Sequence, residues 1–191
     1  NCGAELCLKL RRIMARLHTV GFEMNSLTAG HELDDINAQA QVTTSISSSI
    51  KHGGDYSCRF LWVGPAAGNE RWDYLYQSNA NGPSYFRFYI YVTTLPDVTI
   101  NPLMVYETTG TNMRAAILLN SSGQLILQDA TTQIGSPSSA LSLNTWYRVE
   151  LYIFNNTTSG KMELTATFAT GETTATTIAS TTTSTNTGTF G

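Results

Sequence analysis

Hydrophobic and polar positions alternate along most of the chain after residue 16, with a period of two. Within Ser84–Thr94, every second side chain from Phe86 to Val92 is apolar, and the positions beside them from Tyr85 to Tyr91 carry tyrosine or arginine. The segments Trp146–Phe154 and Met113–Asn120 follow the same alternation. A period of two is typical of a β-strand with one face in the core, because successive side chains point to opposite faces. We therefore expect these inward side chains to be buried: Phe86, Phe88, Ile90, Val92, Tyr147, Val149, Leu151 and Ile153.

Short segments rich in Gly, Pro, Asn and Ser separate the alternating runs and are typical of turns. The stretch Ile100–Ile134 predicts a meander with short hairpin loops. Many short strands without helix between them are typical of an all-β sandwich. The predicted strands are Leu17–Glu23, Val42–Ile50, Tyr56–Val63, Trp72–Gln77, Ser84–Thr94, Leu103–Glu107, Met113–Asn120, Gln124–Gln128, Trp146–Phe154, Lys161–Ala169 and Thr174–Ser180.

Composition supports this fold class and excludes several others. Of the 191 residues, 41% are hydrophobic, too many for a wholly disordered chain. Abundant Thr and Tyr with few Glu and Lys disfavour a helical bundle. The net charge of −3 disfavours general nucleic-acid binding, which needs a basic surface over the phosphates. No apolar run approaches the roughly 18 residues of a membrane span, so we expect neither nucleic acid nor membrane as a partner.

Charge and composition divide the chain into three predicted parts. Residues 1–16 form a basic N-terminal segment that we expect to lie outside the domain, although a short amphipathic helix over Glu5–Leu17 is an alternative. Residues 17–180 form the sandwich domain. Residues 181–191 form a Thr-rich end, which is either a truncated part of the sheet or a flexible linker.

Several of these strands resemble the concanavalin-A-like lectin/glucanase superfamily, and most closely its laminin-G-like members. The resemblance is carried by Ser84–Val92, by Met113–Asn120 and most specifically by Asn144–Glu150 (Asn-Thr-Trp-Tyr-Arg-Val-Glu). The opening Met14–Glu23, which ends in Val-Gly-Phe-Glu, also resembles the start of laminin-G-like proteins of tailed phages. The resemblance implies a two-sheet antiparallel jelly-roll sandwich.

The resemblance also raises the questions of calcium and of hydrolysis. Relatives join a first-strand carboxylate to late Asp residues around calcium, and Glu23 matches the first position but lacks those partners, so we expect no cofactor. Glucanases of the superfamily carry Glu-x-Asp-x-x-Glu on one strand, which pairs two carboxylates for catalysis. The nearest match, Glu32–Asn37, lacks the closing Glu, and a solvated acidic loop is the simpler interpretation. The three cysteines form no zinc-spaced cluster, and Cys58 is expected to be a small buried hydrophobe.

The polar faces of the predicted strands suggest a glycan-binding surface. Tyrosine can stack on the apolar face of a sugar, and Arg or Glu can hydrogen-bond its hydroxyls. The alternative is ordinary surface packing, because Tyr and Arg commonly cover the outer face of a sheet. A second aromatic stripe, formed by Trp72, Tyr74 and Tyr76, can likewise be a glycan-binding surface or ordinary surface packing, and Trp72 also fits a core position. The candidate ligand-binding residues are Tyr85, Arg87, Tyr89, Tyr91, Arg114, Arg148, Glu150 and Tyr152.

Two functions fit these observations. The first is a non-enzymatic, lectin-like module of a phage virion that serves in attachment or structure, with glycan or other virion proteins as partners. The second is a secreted bacterial carbohydrate-binding domain or a degenerate glucanase domain. The absence of a complete catalytic motif favours a non-enzymatic role in both cases.

Overall fold

The computed structural model describes residues 23–27, 36–37, 42–62, 72–73, 82–106, 112–156, 161–171 and 173–181. In these ranges the backbone forms strands and turns without a helix, and none of it is a helix long and apolar enough to cross a membrane. The strands are β1 (Ile36–Asn37), β2 (Val42–Ser47), β3 (Ser57–Trp62), β4 (Trp72–Asp73), β5 (Gly82–Tyr91), β6 (Ile100–Tyr106), β7 (Met113–Leu119), β8 (Leu125–Asp129), β9 (Thr132–Ile134), β10 (Trp146–Asn156), β11 (Lys161–Thr170) and β12 (Thr176–Thr181).

Antiparallel pairing joins these strands into two four-stranded sheets and two two-stranded ribbons. The first sheet has the order β12-β11-β10-β5, and the second has the order β6-β7-β8-β9. The ribbons are β2-β3 and β1-β4. The second sheet follows the order of the chain, which confirms the predicted meander. The all-β class with antiparallel sheets is therefore confirmed.

Buried side chains from both sheets form one core. On β10, Val149, Leu151 and Ile153 are fully buried, and on β7 and β8 so are Ile117 and Leu127. These residues belong to a single hydrophobic cluster, so the two sheets form a sandwich-like pair. Burying each such side chain contributes about 1.5–3 kcal/mol before conformational entropy is subtracted.

The predicted core positions of β5 are less buried than those of β10. Val92 is buried, but Phe86, Phe88 and Ile90 are only partly buried against the core. The register is as expected, because Phe88 lies opposite the fully buried Val149. In the described part of its sheet, β5 has a neighbour on one side only, which leaves its inner side chains less covered.

Strand β7 is buried on both faces, contrary to the expectation of a polar outer face. Ala115 and Ile117 face the core as predicted, and Ala116 and Leu118 on the opposite face are also buried. Both faces are covered from Ala115 to Leu119, where the side chains are small or apolar, whereas Arg114 at the start of the strand is only partly buried.

Two turns set the ends of the strands that matter below. The side-chain oxygen of Asn120 accepts hydrogen bonds from the backbone N–H groups of Ser122 and Gln124 at 3.0 and 2.9 Å. This closes the β7–β8 hairpin, with Gly123 in the left-handed region at a φ of 77°. At the start of β10, Asn144 donates its backbone N–H to the carbonyl of Val92 at 2.8 Å, which aligns β10 beside β5.

Each predicted strand from Val42–Ile50 onward overlaps an observed strand. Strands β1 and β9 were not predicted, since two or three residues are too few to show a period of two. Several predictions fall outside the described residues. They concern the segment 1–16, the predicted strand Leu17–Glu23 apart from Glu23 itself, the side chains of Glu32–Asn37 and of the Trp72 stripe, and residues 182–191. Cys58 is only partly buried.

Candidate functional site

Four cross-strand pairs line the outer face of the first sheet. Because β5 and β10 are antiparallel and their inner positions face the core, their alternate side chains meet on the opposite face. We call this row the aromatic–polar ladder; its pairs are Tyr85–Tyr152, Arg87–Glu150, Tyr89–Arg148 and Tyr91–Trp146. Seven of the eight predicted site residues belong to it.

The centre of the ladder is an ion-paired cluster. The Arg87 guanidinium donates from Nε to Glu150 Oε1 at 2.7 Å, and its Nη2 lies 2.6 Å from the same oxygen. Arg148 Nε lies 3.6 Å from that oxygen on the other side. Arg148 also donates from Nη2 to the carbonyl of Thr173 at 3.1 Å, which fixes its side chain against the turn before β12. One carboxylate oxygen is therefore shared by two guanidinium groups.

One end of the ladder is open to solvent. Tyr85 is 60% exposed, and its ring lies 4.8 Å from that of Tyr152, centroid to centroid, at a tilt of 42°. The neighbouring Arg87 side chain is 54% exposed. Here an aromatic surface and a guanidinium are both accessible to a ligand. We call Tyr85, Tyr152 and Arg87 the open end.

The other end of the ladder is covered by the loop between β2 and β3. The imidazole of His52 stacks on the Tyr89 ring at 3.9 Å and meets the Trp146 ring edge-on at 5.5 Å. Tyr91 in turn packs against Trp146 at 5.2 Å. We call Tyr89, Tyr91 and Trp146 the covered end. The expectation that all four tyrosine and arginine positions of β5 face solvent together is therefore wrong, because a loop distant in sequence occupies part of the face.

Contacts within and beside this loop hold it in place. The Glu23 carboxylate accepts the backbone N–H of Asp55 at 2.9 Å, and Lys51 forms an ion pair with Asp55 at 3.7 Å. Gly54 has a φ of 76°, and a Cβ there would overlap the Glu23 carboxylate. Glu23, the position matched to calcium ligands, accepts a hydrogen bond from the backbone of this loop. Among the described residues no cluster of three metal-ligating side chains exists.

Arg114 does not join the ladder. It lies on β7 of the second sheet, whereas the ladder belongs to the first sheet. The reason is topological: β6 to β9 pair with one another through hairpins, so β7 never reaches the edge of β5. The expectation that Arg114 shares a sheet with the other site residues is corrected accordingly.

Sequence reasoning missed two residues of the site. Trp146 shares the outer face with Arg148, and the alternation of β10 already indicated this position. His52 reaches the ladder from the β2–β3 loop, and no local pattern predicts that contact. Neither a family model, nor a curated protein, nor a solved structure matches this chain. The geometry of the ladder is therefore the basis for a functional assignment.

Proposed function

We propose that this chain is a non-enzymatic, lectin-like module that binds glycan at the open end of the aromatic–polar ladder. The supporting observation is the adjacent pair of tyrosines, of which Tyr85 is 60% exposed, beside the accessible guanidinium of Arg87. The two rings lie 4.8 Å apart and form one aromatic surface rather than an isolated exposed side chain, which is the kind of surface on which a sugar can stack.

The chemistry of the open end matches the two surfaces of a sugar. A tyrosine ring offers a flat apolar face to the C–H groups of a pyranose, and its hydroxyl can exchange hydrogen bonds with the rim. The N–H groups of Arg87 that do not face Glu150 can donate to sugar oxygens. The ion pair with Glu150 limits the freedom of Arg87, which reduces the entropy lost on binding.

The proposal also covers the topology of the fold and the location of the protein in a phage virion. We propose a jelly-roll sandwich of the concanavalin-A-like, laminin-G-like type, supported by the sandwich-like pair of sheets and by the motif at Asn144–Glu150 that forms the start of β10. In line with the phage-like opening of the sequence, we propose a virion protein that serves in attachment or structure, with glycan or other virion proteins as partners.

The alternative is a secreted bacterial carbohydrate-binding or degenerate glucanase domain. Glycoside hydrolysis with retention needs two carboxyl groups about 5 Å apart. The ladder itself holds one carboxylate, Glu150, and two guanidinium groups compete for it. One carboxylate does not supply the pair that this reaction needs, so the ladder is suited to binding rather than to glycoside hydrolysis.

A glycan array probed with the purified chain tests the proposal. We expect a restricted set of glycans to bind, and Tyr85→Ala to weaken that binding by about tenfold, since one stacking contact and its buried area are lost. The matched control is Phe60→Ala, which removes an aromatic side chain that is 56% exposed on β3 and does not belong to the ladder. Binding that is absent from every glycan, or equally reduced by both substitutions, contradicts the proposal.

A further inference from the structure

We propose that the covered end of the ladder is a second sugar-stacking surface, which the His52 side chain occupies in competition with a long glycan. This inference rests on the proposed glycan binding at the open end and adds the class of the ligand, a linear oligosaccharide that reaches both ends. It is drawn from the position of the His52 ring, from the exposed contacts that hold its loop, and from the length of the ladder.

The His52 ring lies where a stacked sugar would lie. It faces the Tyr89 ring at 3.9 Å between centroids with 24° between the planes, and it meets the Trp146 ring edge-on at 5.5 Å. Trp146 also packs against Tyr91, so the aromatic side chains of this end form one surface. The apolar face of a pyranose can make the same stacked contact with an aromatic ring. His52 therefore occupies an aromatic surface of the same kind as that of the open end.

The loop that carries His52 is held by contacts at the surface of the protein. Residues 51–55 are all exposed. The hydrogen bond from the Asp55 backbone N–H to Glu23 and the ion pair between Lys51 and Asp55 both lie in exposed positions. Segments that are held by a few solvent-exposed contacts open at a low free-energy cost, without unfolding of the core. The imidazole can therefore leave the covered end while the two sheets stay intact.

The distance between the two aromatic surfaces sets the length of the ligand. Tyr85 and Tyr89 lie four positions apart on one face of β5, a separation of about 14 Å along the strand. A disaccharide is too short to stack on both tyrosines, whereas a linear glycan of about four sugars spans that distance. Between them lies the exposed Arg87, which can donate hydrogen bonds to the oxygens of such a chain. The geometry thus favours a linear oligosaccharide over a single terminal sugar.

Competition with His52 predicts an effect that depends on the length of the glycan. A ligand that needs a surface open in only a fraction of the molecules binds with an affinity reduced by that fraction. Short glycans stack on the open end alone, so the position of His52 does not affect them. Removal of the imidazole should therefore tighten the binding of long glycans by about three- to tenfold, the range expected for one aromatic contact, and leave short glycans unchanged.

An array of matched short and long glycans tests the inference on the full chain and on His52→Ala. The probes are linear homopolymers of glucose, xylose, mannose, galactose and N-acetylglucosamine, each printed as the disaccharide and as the hexasaccharide, and calorimetry measures the affinity of those that bind. We expect His52→Ala to strengthen binding of hexasaccharides alone. The matched control His52→Phe keeps a ring that can stack on Tyr89 and should show no gain. In the double variant His52→Ala, Tyr89→Ala the gain should disappear, because the second surface is lost.

The outcomes separate this inference from the proposed function. No gain in His52→Ala, equal gains for both lengths, or a gain that persists in the double variant overturns the second surface and leaves glycan binding intact. Binding of short or branched glycans without any hexasaccharide does the same. A blank array for both proteins overturns both proposals. Thermal melting shows whether each variant folds; if the double variant does not, Tyr89→Leu, which keeps an apolar side chain without a ring, replaces Tyr89→Ala and should also remove the gain.

Discussion

The two ends of the aromatic–polar ladder have similar residues but different surroundings. At the open end Tyr85 is exposed and packs on the partly buried Tyr152 beside Arg87, whereas at the covered end Tyr89 and Trp146 contact the imidazole of His52. Both ends arise from the same alternation on β5 and β10. The difference shows that an outward tyrosine can serve either as a ligand surface or as an anchor for a loop. Which role it takes depends on whether another segment reaches it.

This comparison changes the expected roles of individual side chains. Tyr89 packs within the protein, so its contribution is mainly to the stability and position of the loop around His52. Tyr85 makes one aromatic contact and is otherwise accessible, so its contribution is mainly to binding. Substitutions that affect one end and not the other test this division.

The largest effect is expected from the core that supports both ends. Leu151 follows Glu150 and precedes Tyr152 on β10, and its side chain is fully buried on the inner face. Leu151→Ala should destabilise the protein by about 2–5 kcal/mol, because it removes packing and leaves a cavity. Urea denaturation measures the change. Leu143→Ala is the matched control, since Leu143 is 43% exposed and should change stability by less than about 0.5 kcal/mol. Equal effects of the two substitutions contradict the assigned register.

An intermediate effect is expected at the loop over the covered end. Gly54→Ala forces a side chain into the left-handed region, at a cost of about 1–2 kcal/mol, and places its Cβ against the Glu23 carboxylate. Faster hydrogen exchange across residues 51–55 should accompany the loss. The control Gly53→Ala has open space around the new Cβ and should have little effect. An unchanged exchange rate in Gly54→Ala shows that Glu23 and Gly54 do not hold the loop.

The smallest effects on stability distinguish the two ends directly. Tyr89→Ala should cost about 1 kcal/mol through the lost stacking on His52, and should speed hydrogen exchange in the loop. Tyr85→Ala should leave that exchange unchanged while it weakens glycan binding. Denaturation and exchange measurements on both variants provide the comparison. The division of roles fails if Tyr85→Ala loosens the loop or if Tyr89→Ala leaves it unchanged.

Local alternation was sufficient to predict most strands and their inward faces. Val149, Leu151 and Ile153 are buried as expected, because β10 has neighbours on both sides and a sheet packed against its inner face. The same pattern overestimated the burial of Phe86 and Phe88. Their exposure depends on the position of β5 at one side of its sheet, and a period of two carries no information on that position.

Alternation predicted the face of each site residue but not its partner on the neighbouring strand. The alternation placed Tyr85 and Arg87 on one face, and likewise Glu150 and Tyr152, but only the register of β5 against β10 pairs them. Arg114 has the same outward position within its own strand and lies on the other sheet. Pairing between strands depends on the path of the intervening chain, which the sequence of a single strand does not specify.

Spacing along the chain is enough to predict the all-β class, the strands from β2 onward except the short β9, and the composition of each strand face, because side chains of a strand point in only two directions. Only in the folded chain does His52 cover Tyr89, does Glu23 hold the loop at Asp55, and do Arg87 and Arg148 share one carboxylate. Each of these contacts joins residues that lie on different strands or loops or, for Arg148 and Glu150, depends on the rotamers of neighbouring side chains. Their formation depends on the fold, since alternation sets the face on which each side chain lies but not the partner that it meets there.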